Sequence, residues 1–113
     1  MRNTVLNMPK ASQVLFNGSG CVTFHSSRET SGAAVATYRL WDGGSAAGTL
    51  LLPVELAASE STRDGFFQHV LPFKTGLYFE LVAGTIEGAV GICFDHNCDH
   101  VLTLIVDALH AAG

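Results

Sequence analysis

From Ala33 to Trp41 the chain alternates, with Ala34, Ala36, Tyr38 and Leu40 on one side and Val35, Thr37, Arg39 and Trp41 on the other. A period of two marks a β-strand, whose successive side chains point to opposite faces of a sheet. The same period recurs at Leu50, Leu52, Val54 and Leu56 against Leu51, Pro53, Glu55 and Ala57, and again at Leu77, Phe79, Leu81 and Ala83 against Tyr78, Glu80 and Val82. The flexible segment Asp42-Gly43-Gly44-Ser45-Ala46-Ala47-Gly48 joins the first two runs as a hairpin with a long loop. Pro53 has no amide proton to give to a central ladder, so its strand belongs at an edge or carries a bulge.

Elsewhere the turns are read from glycine and small polar residues. Asn17-Gly18-Ser19-Gly20 supplies residues suited to positive φ between Val14-Leu15-Phe16 and Cys21-Val22-Thr23-Phe24, predicting a second hairpin, with a bulged continuous strand as the alternative. A third is predicted where Gly84-Thr85-Ile86-Glu87-Gly88 leads into residues 89–94, whose Val90, Ile92 and Phe94 share a face. Ala58-Ser59-Glu60-Ser61 and Lys74-Thr75-Gly76 read as turns, and residues 66–73 as a strand ending near Pro72. Residues 101–106 favour a strand by their β-branched content, although Val101, Leu104, Ile105, Ala108 and Leu109 also fit a helix.

Some 7–8 short antiparallel strands predict an all-β fold, an antiparallel β-sandwich that is jelly-roll-like, with a barrel as the alternative. The 113 residues suit one domain. We divide them into an N-terminal arm, residues 1–12, and a single β-sandwich domain, residues 13–113.

Composition adds an expectation of neighbours. Only 14% of residues are charged, against about 25% in an average globular protein. A domain of this size is mostly surface, so part of its exterior is neutral or apolar, and exposed apolar patches mark protein contacts. Cover by Ser, Thr, Gly and Ala is the alternative. The formal net charge is −4, and the six Lys and Arg residues are scattered singly. Without a basic stripe to neutralise phosphates, nucleic acid is not an expected partner. No apolar run reaches the roughly 20 residues of a membrane span, and the first ten residues carry no signal-peptide core. A product made and kept in the cytoplasm without membrane contact is expected.

Candidate chemistry is sparse. Cys21, Cys93 and Cys98 are an odd number of cysteines, expected as reduced buried thiols, with a short Cys93–Cys98 closure as the alternative. Asp95-His96-Asn97-Cys98-Asp99-His100 offers His96, Cys98 and His100 as zinc or copper ligands. An Asn- and Asp-rich turn explains the same letters, and no cofactor is expected. His25 and His69 read as surface or rim residues, and His96 or His100 would titrate near neutral pH if gathered on a symmetry axis. No nucleophile, base and orienting acid can be assembled, so the chain is not expected to be an enzyme. Gly18-Ser19-Gly20 lacks the flanks of a nucleophile elbow. Arg39, Trp41, Leu51, Pro53 and Tyr78 fall off the expected core face and form the candidate contact surface. A one-residue slip would place them inside.

The segments Tyr38-Arg39-Leu40-Trp41-Asp42-Gly43, Gly48-Thr49, Leu56-Ala57-Ala58-Ser59-Glu60-Ser61, Phe73-Lys74-Thr75-Gly76-Leu77-Tyr78 and Gly84-Thr85-Ile86-Glu87-Gly88 together resemble small β-sandwich virion proteins of tailed bacteriophages. The resemblance spans residues 33–94. It implies a structural role in the virion as a head decoration or cement protein, bound to the major capsid protein or another virion protein and to copies of itself, with a trimer favoured. The alternatives are a receptor- or carbohydrate-binding sandwich of a tail fibre or spike, and a tail or neck component.

Overall fold

The computed structural model describes residues 3–65 and 70–94. Among them are nine strands: β1 (Asn3–Asn7), β2 (Gln13–Asn17), β3 (Gly20–Glu29), β4 (Ala36–Asp42), β5 (Thr49–Leu56), β6 (Ser61–Gly65), β7 (Leu71–Phe73), β8 (Gly76–Ala83) and β9 (Ile86–Phe94). They form two sheets. One has the order β1-β9-β3-β6, with β7 also pairing with β3, and the other the order β2-β8-β4-β5. Each ladder is antiparallel. Interleaving of early and late strands in both sheets is the connectivity of a jelly roll. The all-β sandwich expected from the alternation is therefore the fold, and the barrel is not.

Only β4 and β5 form a hairpin of the kind expected. β2 and β3 lie in different sheets, as do β8 and β9, so the hairpins expected at residues 17–20 and 84–88 do not form. Their glycines do take positive φ, +115° at Gly18 and +84° at Gly84, but the turns carry the chain across the sandwich. At Gly84 a Cβ would lie 2.7 Å from the Cα of Ala36, so the corner is packed directly on β4. Turn chemistry reports a reversal of the chain and leaves open which sheet the next strand joins.

Other expectations shift at the margins. The segment read as an arm contributes β1, which pairs with β9 from Asn3↔Cys93 to Asn7↔Ala89. Ser61, read as a turn residue, opens β6. Of the strand expected over 66–73, β7 covers Leu71–Phe73, and residues 66–69 lie outside the described residues. So does the segment read as strand or helix at 101–106.

Between the sheets lie Val22, Ala36, Tyr38, Leu40, Leu56, Phe73, Leu77, Phe79, Ile86, Val90 and Ile92. β4 thus buries Ala36, Tyr38 and Leu40 and β8 buries Leu77 and Phe79 of the faces expected, while Ala34 precedes β4 and is exposed, Leu81 is half-buried, and Ala83, beyond a register shift in the β4–β8 ladder, is exposed. Phe16 closes one end, with its ring 5.9 Å from Phe73 and 5.1 Å from Phe94. β3 departs from simple alternation because its register against β9 shifts between Val22 and Phe24. A bulge exchanges the faces of everything that follows it. Past this one, His25, Ser27 and Glu29 are the buried positions, while Phe24 and Ser26 are half-buried and Arg28 is exposed.

Candidate functional site

The inward side chains Tyr38, Leu40, Leu77 and Phe79 fix what the other face of β4 and β8 presents. Arg39 and Trp41 from β4, and Tyr78 and Glu80 from β8, stand on the outside of the β2-β8-β4-β5 sheet. The ladders align them. Tyr78 pairs with Val14 of β2 on one side and Trp41 on the other, and Trp41 pairs with Leu50 of β5. In the neighbouring row Glu80 pairs with Arg39, and Arg39 with Pro53. Four of the five expected contact residues, Arg39, Trp41, Pro53 and Tyr78, therefore meet on one surface.

Leu51 does not join them. It is the extra residue of a bulge between the Leu40↔Leu52 and Trp41↔Leu50 pairs, and it packs against the core. Leu50, 44% exposed, takes the place beside Trp41. Simple alternation assigned Leu50 to the core face, and only the bulge reverses the two leucines. Val14 and Glu80 also escaped the sequence reading, because their membership depends on which strands become neighbours.

The polar groups of this face are tied together. The Trp41 indole donates from Nε1 to Glu80 Oε1 at 3.1 Å, and Arg39 Nη1 donates to the same oxygen at 3.4 Å. Glu80 thereby orients both an aromatic ring and a guanidinium. Side chains held in place lose less entropy on binding, and Trp, Tyr and Arg are the residues in which interface energy concentrates. The surface is suited to contact.

A second polar group is buried on the opposite sheet. His25, expected at the surface or rim, is 2% exposed, because the β3 bulge turns it inward. Its Nδ1 lies 3.4 Å from the Tyr38 hydroxyl, which lies 2.8 Å from Ser27 Oγ, and its Nε2 lies 3.4 Å from Asp64 Oδ2. Burial lowers the His25 pKa against the opposing pull of Asp64. Burial also raises the pKa of Tyr38, partly offset by the bond to Ser27. Tyr38 is fully enclosed and Ser27 nearly so, and this chain of groups joins β3, β4 and β6.

The expected metal ligands His96, Cys98 and His100 lie outside the described residues, as does His69. Among the described residues no group of three or more His, Cys, Asp or Glu side chains is placed to hold a metal ion. Cys21 and Cys93 are buried ladder partners on β3 and β9, with Val70 packed beside them. No described helix is long and apolar enough to cross a membrane. In comparisons with family models, curated proteins and solved structures, no significant match to the chain was found.

Proposed function

We propose that this chain is a virion structural protein of the head decoration or cement type. It acts by binding the major capsid protein and copies of itself, with a trimer as the favoured self-assembly. The observation that carries a binding role is the gathering of Trp41, Tyr78, Arg39 and Leu50 on the outer face of one sheet. The class of partner rests on the resemblance of residues 33–94 to phage virion proteins. Jelly rolls serve in capsids and in lectins alike, so the fold alone selects neither. On this reading the protein is made in the host cytoplasm and ends in the virion. Many copies on a repeating lattice turn modest single contacts into firm retention.

The test is co-sedimentation of the purified protein with phage heads that lack it, alongside light scattering for its mass in solution. Binding to heads and an oligomeric mass are expected, and Trp41→Ala should weaken head binding by at least about 30-fold, the effect of losing one interface hot spot. A monomer that leaves heads unbound overturns the reading. A glycan-array signal abolished by Trp41→Ala, without head binding, replaces it with a receptor-binding tip of a fibre or spike. Labelling of intact particles at the tail or neck replaces it with a component of that structure.

A further inference from the structure

Among the described residues, β6 is an edge strand with little to anchor it. Of Ser61, Thr62, Arg63, Asp64 and Gly65 only Thr62 is even half-buried, so hydrophobic burial contributes little to its place. Among the described residues it is held by the ladder to Phe24–Arg28 of β3, with Asp64 set beside the buried His25. We propose that His25, Tyr38 and Ser27 form an acid-operated latch, which keeps β6 on the sandwich at neutral pH and releases it when the imidazole takes up a proton.

The direction of the hydrogen bonds follows from the partners. A carboxylate can only accept, so Nε2 of neutral His25 carries the proton and faces Asp64. Nδ1 is then an acceptor and takes the Tyr38 hydroxyl proton, while the Tyr38 oxygen accepts from Ser27. A second proton can enter only at Nδ1, where it meets the proton already donated by Tyr38. Both bonds must then reverse, and the hydroxyl proton of buried Ser27 needs a new acceptor. The imidazolium must also be held in a buried position, away from the hydration it would have in water.

Among the described residues, Asp64 from β6 and Tyr38 from β4 are the titratable groups facing His25. β9 presents Val90, its ladder partner on the other side. Asp64 draws the proton in, and its carboxylate is 66% exposed, so water weakens that pull. Hydrating the imidazolium requires lifting whatever covers it, and β6 has the fewest buried side chains to lose.

Amide hydrogen exchange of the full chain from pH 7.5 to 5, corrected for intrinsic rates, tests the latch. One linked proton lowers β6 protection by up to about tenfold for each pH unit below roughly 6.5, while β4 and β8 keep theirs. His25→Gln, which retains a donor and an acceptor, should make β6 protection independent of pH. Asp64→Asn leaves the core untouched and removes the pull that lets closed His25 accept a proton, so its loss should continue to lower pH than in the parent chain. The latch is overturned if β6 protection in the parent does not change with pH, or if His25→Gln loses it with the same slope. It is equally overturned if the loss in Asp64→Asn levels off at higher pH than in the parent.

Discussion

Tyr38 works in two ways at once. Its ring belongs to the core, 5.5 Å from Phe79, and its hydroxyl is the middle member of the buried polar chain. Removing the oxygen leaves Ser27 and His25 with a lost partner inside the sandwich, which typically costs about 1–3 kcal/mol. Tyr38→Phe should therefore lower stability by that amount in chemical denaturation. Ser27→Ala should cost clearly less in the Tyr38→Phe background than alone, because its partner is already gone. Additive losses would show that the two hydroxyls are not coupled. The alternation at Tyr38 was legible in the sequence, since its apolar neighbours share its face. Its polar partners were not, because Val22 and Phe24 look like the inward pair until the bulge moves His25 and Ser27 inside.

Elements are placed by corners and edges. Gly84 holds a φ of +84° with β4 backbone directly against it. Gly84→Ala should cost about 1–3 kcal/mol from the strained backbone, and more from the clash with Ala36. A fall in the thermal midpoint measures it. Pro53 illustrates the edge. Among the described strands β5 is the outermost of its sheet, a position proline tolerates, and it carries Leu50, Leu51, Leu52 and Val54. Since Pro53 is a ladder partner of Arg39 yet has no N–H, its missing donor lies on the open side. Strand pairing by an outside chain is discouraged there. Pro53→Thr restores the donor and should produce association that grows with concentration, seen as rising mass in light scattering with an unchanged far-UV spectrum. A mass equal to that of the parent chain would remove this role from Pro53.

Across the whole molecule, one carboxylate gathers the loops at each end. Glu29 accepts from the amides of Ser31, Gly32 and Ser59 at 2.8, 2.6 and 3.1 Å, with the Thr85 hydroxyl at 3.5 Å. It thereby joins the β3–β4, β5–β6 and β8–β9 connections. At the far end of β4, Asp42 accepts from the amides of Lys74, Thr75 and Gly76, and the Gly18 amide donates to the Thr75 carbonyl. Bonds from Ser31, joined by the amides of Ser59 and Gly32, hold Glu29 from its ordinary 4.5 down to about 2 despite burial. Burial opposes the Asp42 carboxylate, but its three amide donors outweigh that and lower its pKa as well.

A carboxyl depressed in the folded state stabilises fully above its unfolded pKa and loses that contribution as pH falls toward the folded value. Acid should thus weaken the fold between pH 4.5 and 2, after the earlier loss that buried neutral His25 causes as pH drops below about 6.5. Thermal midpoints measured across this range should fall on both slopes. Glu29→Gln should flatten the lower slope and reduce the midpoint at pH 7, and an unaltered lower slope would separate Glu29 from acid stability.

The contact face shows how much of the site could be read in advance. Trp41, Arg39 and Tyr78 were legible as outward residues because alternation runs unbroken from Ala36 to Trp41 in β4 and from Leu77 to Glu80 in β8, and their inward neighbours are strongly apolar. Leu51 was misplaced, since a bulge at one residue exchanges it with Leu50. Where no bulge intervenes the pleat alone determines which side of a strand a side chain takes, so the chain's own letters define the inward Ala36, Tyr38, Leu40, Leu77 and Phe79 of β4 and β8 and place Pro53 at an edge or a bulge. Which sheet each strand enters is decided between residues far apart in the chain. So are the inward turn of His25 and the meeting of Val14, Tyr78, Trp41 and Leu50 in one row. These depend on corners, bulges and ladder partners, which arise only when distant strands compete to pair and bury their apolar faces together.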